Sequence, residues 1–199
     1  MKKSTRKVLI AFFVITAVVV LILFGFYMLS KSGEERDREL PSTEVEKLLA
    51  KDLELSYPET PTEVVKMYWR INKCMYNENA EMTDENFEAL LKQLRMLYDD
   101  EFLAASENSW DNMLLKFELD RKNFLEKEKM ISSYAVQEDK DVKYGMIDGK
   151  EGATLYVDIL EVEGEENVRS RGEYICRKDA EGKWKILGWE QVDNTEKKK

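Results

Sequence analysis

An aspartate and a tyrosine in one predicted strand are the residues best placed to do chemistry. Asp158 and Tyr156 are two residues apart between Ala153 and Glu163, so both side chains fall on one face of the strand. A carboxylate in an apolar pocket can act as a general base, with a tyrosine hydroxyl as partner acid. The other face of this strand is more apolar and carries Leu155, Val157 and Ile159. We therefore expect Asp158 to face solvent, and assign no catalytic residue.

The rest of the sequence excludes several common chemistries. The chain has no histidine, and therefore no Ser-His-Asp or Cys-His arrangement and no histidine-based metal site. Its nine glycines form no phosphate-binding loop motif. Residues 139–144 begin like a calcium loop, but Lys143 and Tyr144 stand where an oxygen ligand and a glycine are required. We predict no metal ligand, no cofactor and no cofactor-binding residue.

The two cysteines leave two interpretations open. In an exported domain, Cys74 and Cys176 can form one disulfide. Cys74 also falls on the apolar stripe of a predicted helix, and Cys176 alternates with Tyr174 in a predicted strand. Both positions therefore suit small buried side chains as well.

The four tryptophans indicate either core packing or the wall of a ligand cleft. Trp184 and Trp189 are five residues apart in one predicted strand, so they point to opposite faces unless the strand contains a bulge. We expect at most one of the two to face the interior.

Apolar periodicity predicts helices first and strands afterwards. Thr43 and Glu46 form a capping-box pattern before a short helix, whose apolar face must dock on the main domain or on a membrane surface. Three longer helices follow, and we expect the second of these to run on toward Ala105. They begin at Thr60-Pro61, Thr83-Asp84 and Asn108-Ser109. From about Met130 the period is two, which predicts strands over 130–137, 142–147, 153–163, 168–178 and 184–192.

A run without charge from Val8 to Leu29 precedes these elements. As a helix it is roughly 33 Å long, enough to cross a hydrocarbon core of about 30 Å. The basic residues before it predict a cytoplasmic amino terminus and an extracellular domain. A cleaved signal peptide ending near Ser30-Lys31-Ser32 is the alternative. The predicted organisation is a basic tail (1–7), a transmembrane helix (8–29), a spacer with a short amphipathic helix (30–56), an extracytoplasmic domain (57–193) and a disordered tail (194–199).

Charge restricts the partners. All 40 acidic residues follow the apolar run, and the whole chain has a net charge of −9. Such a surface repels nucleic acid. The apolar run predicts the lipid bilayer as a partner through residues 8–29. The other predicted partners are an envelope protein or, by analogy of fold alone, a second copy of the chain in a homodimer.

The predicted fold class is α+β: an amino-terminal transmembrane helix, then three helices packed on a curved antiparallel sheet of about four to five strands. Over Thr60 to Val192 this order resembles the cone-shaped fold of nuclear transport factor 2 and ketosteroid isomerase, a cystatin-like arrangement. The resemblance is one of fold, and the catalytic residues of ketosteroid isomerase do not match positions here.

A second resemblance spans nearly the whole chain. It rests on the segments 43–53, Tyr57-Pro58-Glu59-Thr60-Pro61, Ile131-Ser132-Ser133-Tyr134 and 183–189. These segments resemble uncharacterised single-pass membrane proteins of Clostridia-type Gram-positive bacteria, a family with a domain of unknown function. We expect a non-enzymatic protein of the cell membrane, with a role in binding or envelope assembly. The alternative is a small-molecule-binding or isomerase- or hydrolase-like enzyme with a carboxylate in the cone pocket.

Overall fold

The computed structural model describes residues 43–77 and 81–192, all within the unit Thr43–Lys199. The helices are α1 (Glu44–Leu49), α2 (Pro61–Tyr76), α3 (Asp84–Arg95), α4 (Asp100–Ala104) and α5 (Trp110–Glu126). Short 3₁₀ turns span Ser106–Asn108 and Asp139–Asp141. The strands are β1 (Lys129–Val136), β2 (Lys143–Ile147), β3 (Lys150–Glu163), β4 (Glu166–Lys178) and β5 (Trp184–Val192).

Threonine caps start three of the helices. The side chains of Thr43 and Thr60 each accept a hydrogen bond from the backbone three residues on, and Glu46 and Glu63 return the contact to the cap residue. Thr83 accepts a bond from the backbone N–H of Asn86 at the start of α3. These contacts satisfy backbone donors that the first helical turn leaves free.

The five strands form one antiparallel sheet. Its main strand order is β1-β3-β4-β5. One edge of β3 pairs with two strands, its first half with β2 and its second half with β1. Asp148 and Gly149 connect β2 to β3 with φ values of 51° and 78°. Two consecutive positive φ values suit the right-handed twist of a tight hairpin.

One face of the sheet packs against the helices. Leu155 and Val157 of β3, Tyr174 and Cys176 of β4 and Ile186 of β5 are buried on this face. Helix α1 also joins this core, since Val45 and Leu48 are buried and Gln93 of α3 donates to the Leu48 carbonyl at 2.9 Å. The apolar face of the short helix therefore docks on the domain.

Side chains at the end of α2 cover part of the outer edge of β1. Asn77 accepts a bond from the Ile131 N–H at 2.8 Å and donates to the Ile131 carbonyl at 3.1 Å. Lys73 donates to the Ser132 carbonyl at 2.7 Å. Asn77 thus takes the place of a neighbouring strand and protects an edge that could otherwise pair with another chain.

A short segment after α3 pairs with the edge of β5. The Ile186 N–H donates to the Leu97 carbonyl at 2.8 Å, and the Asp99 N–H donates to the Ile186 carbonyl at 2.9 Å. This parallel bridge includes Tyr98. It requires extended backbone at Asp99, and so α3 ends at Arg95 rather than running to Ala105.

A buried ion pair locks the same segment to the sheet. Arg177 of β4 donates to both carboxylate oxygens of Asp99, at 2.6 and 3.2 Å, and both side chains are 4% exposed. Burial alone would raise the pKa of Asp99, but the hydrogen bonds from Arg177 and from the Glu101 backbone hold this pKa below its ordinary value. Arg177 also contacts the exposed carboxylates of Glu101 and Asp148.

These observations correct the predicted fold class. The α+β order and the antiparallel sheet are present, but the class as predicted is wrong. Within the described residues, 43–77 and 81–192, no helix is long and apolar enough to span a membrane. The run 8–29 lies outside them. The described part also holds five α-helices, because α1 belongs to the domain and Asp99 separates α3 from α4.

Replacing Asp99 by alanine tests the importance of the buried ion pair. Loss of one partner leaves the Arg177 charge buried without full compensation, which costs about 3–5 kcal/mol. We expect Asp99→Ala to lower the free energy of unfolding by this amount in urea denaturation of the full-length chain. Glu101→Ala removes an exposed partner of the same arginine and should change the free energy of unfolding by less than about 1 kcal/mol. Equal losses of unfolding free energy in both variants would contradict a special role for the buried ion pair between Arg177 and Asp99.

Candidate functional site

A bulge in β5 places two tryptophans on the same face of the sheet. The register pairs Tyr174 with Trp189 and Cys176 with Ile186, so Leu187 is the extra residue. Trp184 and Trp189 both lie on the helix-facing side as a result. The expectation that at most one of them faces the interior is therefore wrong, since a bulge reverses the alternation beyond it.

Trp189 lies at the edge of an aromatic cluster, which comprises Tyr68, Tyr98, Phe102, Tyr174 and Trp189. The Trp189 ring is nearly parallel to Tyr98 and Tyr174, with centroids 5.8 and 6.3 Å away. Tyr68 and Phe102 approach it at 5.7 and 5.4 Å. The tyrosines are buried, whereas Trp189 is 41% exposed. The Trp189 ring is therefore held by its neighbours while part of its surface is available for contact.

A glycine leaves room for this cluster. A Cβ at Gly172 of β4 would lie 3.0 Å from the Tyr174 ring, closer than ordinary van der Waals contact. Glycine at this position lets the ring lie along its own strand.

The cluster tyrosines are held in the neutral form. Burial raises the pKa of Tyr68 to about 12, despite contacts with Tyr98, Tyr174 and Asn72 that lower it. Burial likewise raises the pKa values of Tyr98 and Tyr174 well above their ordinary range. Their hydroxyls therefore remain protonated throughout the physiological range.

A cleft of about 470 Å³ opens beside the cluster, between α2, α5 and the sheet. Its volume is typical of small-molecule sites. Six rings line it: Tyr68, Trp69 and Tyr76 from α2, Phe117 and Phe124 from α5, and Trp189 from β5.

Charged side chains lie along the same cleft. Asp120 and Lys116 come from α5, Lys127 from the residues after it, Lys129 from β1 and Glu161 from β3. Lys129 pairs with Glu163 at 2.8 Å, and this hydrogen bond raises the pKa of Lys129. Glu161 brings a carboxylate to the wall formed by the sheet.

Asp158 and Tyr156, the pair that the sequence placed best for chemistry, lie on the other face of the sheet. Asp158 is 3.1 Å from Arg171, and the Tyr156 hydroxyl donates to Glu173 at 2.6 Å. The expected orientation of β3 is confirmed, because Leu155 and Val157 are buried while the Asp158 side chain is 47% exposed. The structure brings neither residue to the cleft.

Sequence reasoning missed Glu161, although its signal was present. The alternation that buries Leu155 and Val157 continues through Ile159 to Glu161, so this carboxylate falls on the helix-facing side. Its partner across the sheet is Ile131, which also lines the cleft. Asp120 gave no comparable signal, since an acidic residue on a helix usually faces solvent.

The cysteines are two separate buried thiols. Cys74 of α2 and Cys176 of β4 are both unbonded. Burial raises the pKa of Cys74 to about 11 and that of Cys176 to about 12. Protonated, buried thiols are poor nucleophiles, so the interpretation as small core residues is the one that applies. Across the described ranges, no group of three or more acidic or cysteine residues is placed to hold a metal ion.

A larger groove lies elsewhere, between α2, β1 and the segment before α2, with a volume of about 670 Å³. Two of its charged groups, Glu63 and Arg70, already serve the fold. Glu63 caps α2, and Arg70 forms a two-pronged contact with Glu44 of α1. The aromatic cleft is therefore the better candidate site.

The geometry defines an α+β domain with an aromatic-lined cleft. A family model described as a domain of unknown function (DUF6715) matches residues 1–189, and the chain belongs to that family. The comparison with curated proteins gives no match. The predicted resemblance to an uncharacterised family is confirmed at this level. The Clostridia-type origin, the likeness to nuclear transport factor 2, the homodimer, the envelope partner and the extracellular location stay predictions.

The buried tyrosines predict a loss of stability in strong alkali. The pKa of Tyr68 is about 12 in the folded protein and about 10 in the unfolded chain. The contribution of protonated Tyr68 to the free energy of unfolding is therefore fully present below pH 10 and is lost as the pH rises toward 12. We expect the free energy of unfolding to fall between pH 9 and pH 11, and to fall less in Tyr68→Phe.

Urea denaturation at the two pH values measures this difference. Tyr144→Phe removes the hydroxyl of a largely exposed tyrosine and serves as the control. If Tyr68→Phe and Tyr144→Phe reduced the pH dependence of the free energy of unfolding equally, burial of Tyr68 would not be its cause.

Proposed function

We propose that this domain binds a small molecule with a flat apolar part in the aromatic cleft, without transforming it. The observation that carries the proposal is the Trp189 ring, which packs against buried tyrosines, is 41% exposed and lines the cleft. An exposed tryptophan held in a fixed orientation provides a large rigid contact surface at little cost in conformational entropy.

The construction of the cleft supports binding. Its rings come from α2, α5 and β5, elements that are held by the common core. The bulge at Leu187 is a local departure from regular strand geometry, and it turns Trp189 toward the cleft. Bulges are frequent next to functional sites because they redirect a side chain.

A carboxylate-based isomerase or hydrolase is the second candidate. The observation in its favour is Glu161, a carboxylate on the cleft wall beside apolar rings. Against it, the predicted pair of Asp158 and Tyr156 is on the opposite face. We favour binding, because the Tyr156 hydroxyl is bonded to Glu173 on the opposite face, and neither Tyr98 nor Tyr174 lines the cleft.

A neutral aromatic dye tests the binding proposal. N-phenyl-1-naphthylamine, whose fluorescence rises in apolar surroundings, should bind to the full-length chain. We expect Trp189→Ala to weaken the affinity by about 2- to 10-fold, because a favourable aromatic contact contributes about 0.5–1.5 kcal/mol.

Trp110→Ala is the matched control. Trp110 lies beside Lys92 and Arg95, does not line the cleft, and should leave the affinity unchanged. Absence of dye binding, or equal weakening in both variants, would refute the proposed site.

A further inference from the structure

The charged groups at the cleft indicate the charge of the ligand, a conclusion that rests on the proposed function. Two of the charged groups at the cleft are partly buried on the sheet, Lys129 and Glu161. Lys129 is already neutralised by Glu163 at 2.8 Å. Within the described part, the side chain of Glu161 forms no hydrogen bond or ion pair, and its electrostatic neighbour is Lys129.

The rings of the cleft differ from other aromatic rings of the domain. Lys92 lies over Trp110, Arg171 over Tyr156 and Lys178 over Trp184, at 5.1–5.5 Å from the ring centroids. Among residues 43–77 and 81–192, no lysine or arginine lies over any of the six rings that line the cleft. Aromatic faces attract cations, and at the cleft these faces are left without one.

Asp120 adds a second carboxylate, from the wall opposite Glu161. Lys116 and Lys127 oppose these two charges. Both lysines and Asp120 are exposed on or just after α5, so solvent screens their charges more than that of the partly buried Glu161. The chain as a whole carries a net charge of −9, which raises the local concentration of cations around it.

We propose that the cleft takes an organic cation: a substituted ammonium group on an apolar body. The ammonium lies between the Glu161 carboxylate and the aromatic rings, and the apolar part contacts Trp189. Aromatic rings are a recurring means by which proteins recognise substituted ammonium groups.

Three probes of similar shape and different charge test the proposal by calorimetric titration of the full-length chain. They are benzyltrimethylammonium, the neutral neopentylbenzene and the anionic phenylmethanesulfonate. We expect the cation to bind about 10-fold more tightly than the neutral probe, and the anion to bind most weakly.

Glu161→Gln keeps the size of the side chain and removes its charge. We expect it to weaken binding of the cation about 10-fold and to leave the neutral probe unchanged. Glu190→Gln is the matched control, since it removes the same charge from an exposed position of β5 and should have little effect. Thermal unfolding of both variants verifies that they are folded.

The outcomes separate this inference from the proposed function. Equal affinity for cation and neutral probe, or an equal effect of both variants, would overturn the organic cation while leaving the binding function intact. Preference for the anion, increased by Glu161→Gln, would show a site for acids. If none of the three probes binds and the neutral dye also fails, both proposals are wrong.

Discussion

The pairing of Leu97–Asp99 with Ile186 is the contact on which the site depends. Its two backbone hydrogen bonds end α3 and attach the following chain to the edge of β5. The salt bridge from Arg177 then fixes Asp99, whose carboxylate also caps α4. Tyr98 lies between these anchors and Phe102 follows within α4, so both rings reach Trp189. Without this attachment the aromatic cluster would lose two of its five members.

The elements themselves could be predicted from local patterns. The threonine caps marked the starts of three helices, and the alternation of apolar residues marked all five strands to within a few residues. Both signals are local, because a cap or a strand face depends on residues close in sequence. The two faces of β3 were assigned correctly for the same reason, with Leu155 and Val157 inside.

The details that build the site depend on contacts distant in sequence. The bulge at Leu187 appears only in the register between β4 and β5, and it reverses the orientation expected for Trp189. The end of α3 at Arg95 is set by pairing with Ile186, which lies far along the chain. Glu161 could have been found, since it continues the alternation of β3, but its position beside a cleft required the arrangement of α2 and α5.

The bulge at Leu187 also restricts which sequence changes this strand can accept during evolution. What matters there is the number of residues between Ile186 and Trp189, more than their identity. Loss of one residue would restore regular alternation and exchange the two faces of the strand for everything that follows. Trp189 would then turn outward, and its neighbours would enter the core. The last few residues of β5, although near the end of the domain, should therefore accept substitutions far more readily than insertions or deletions.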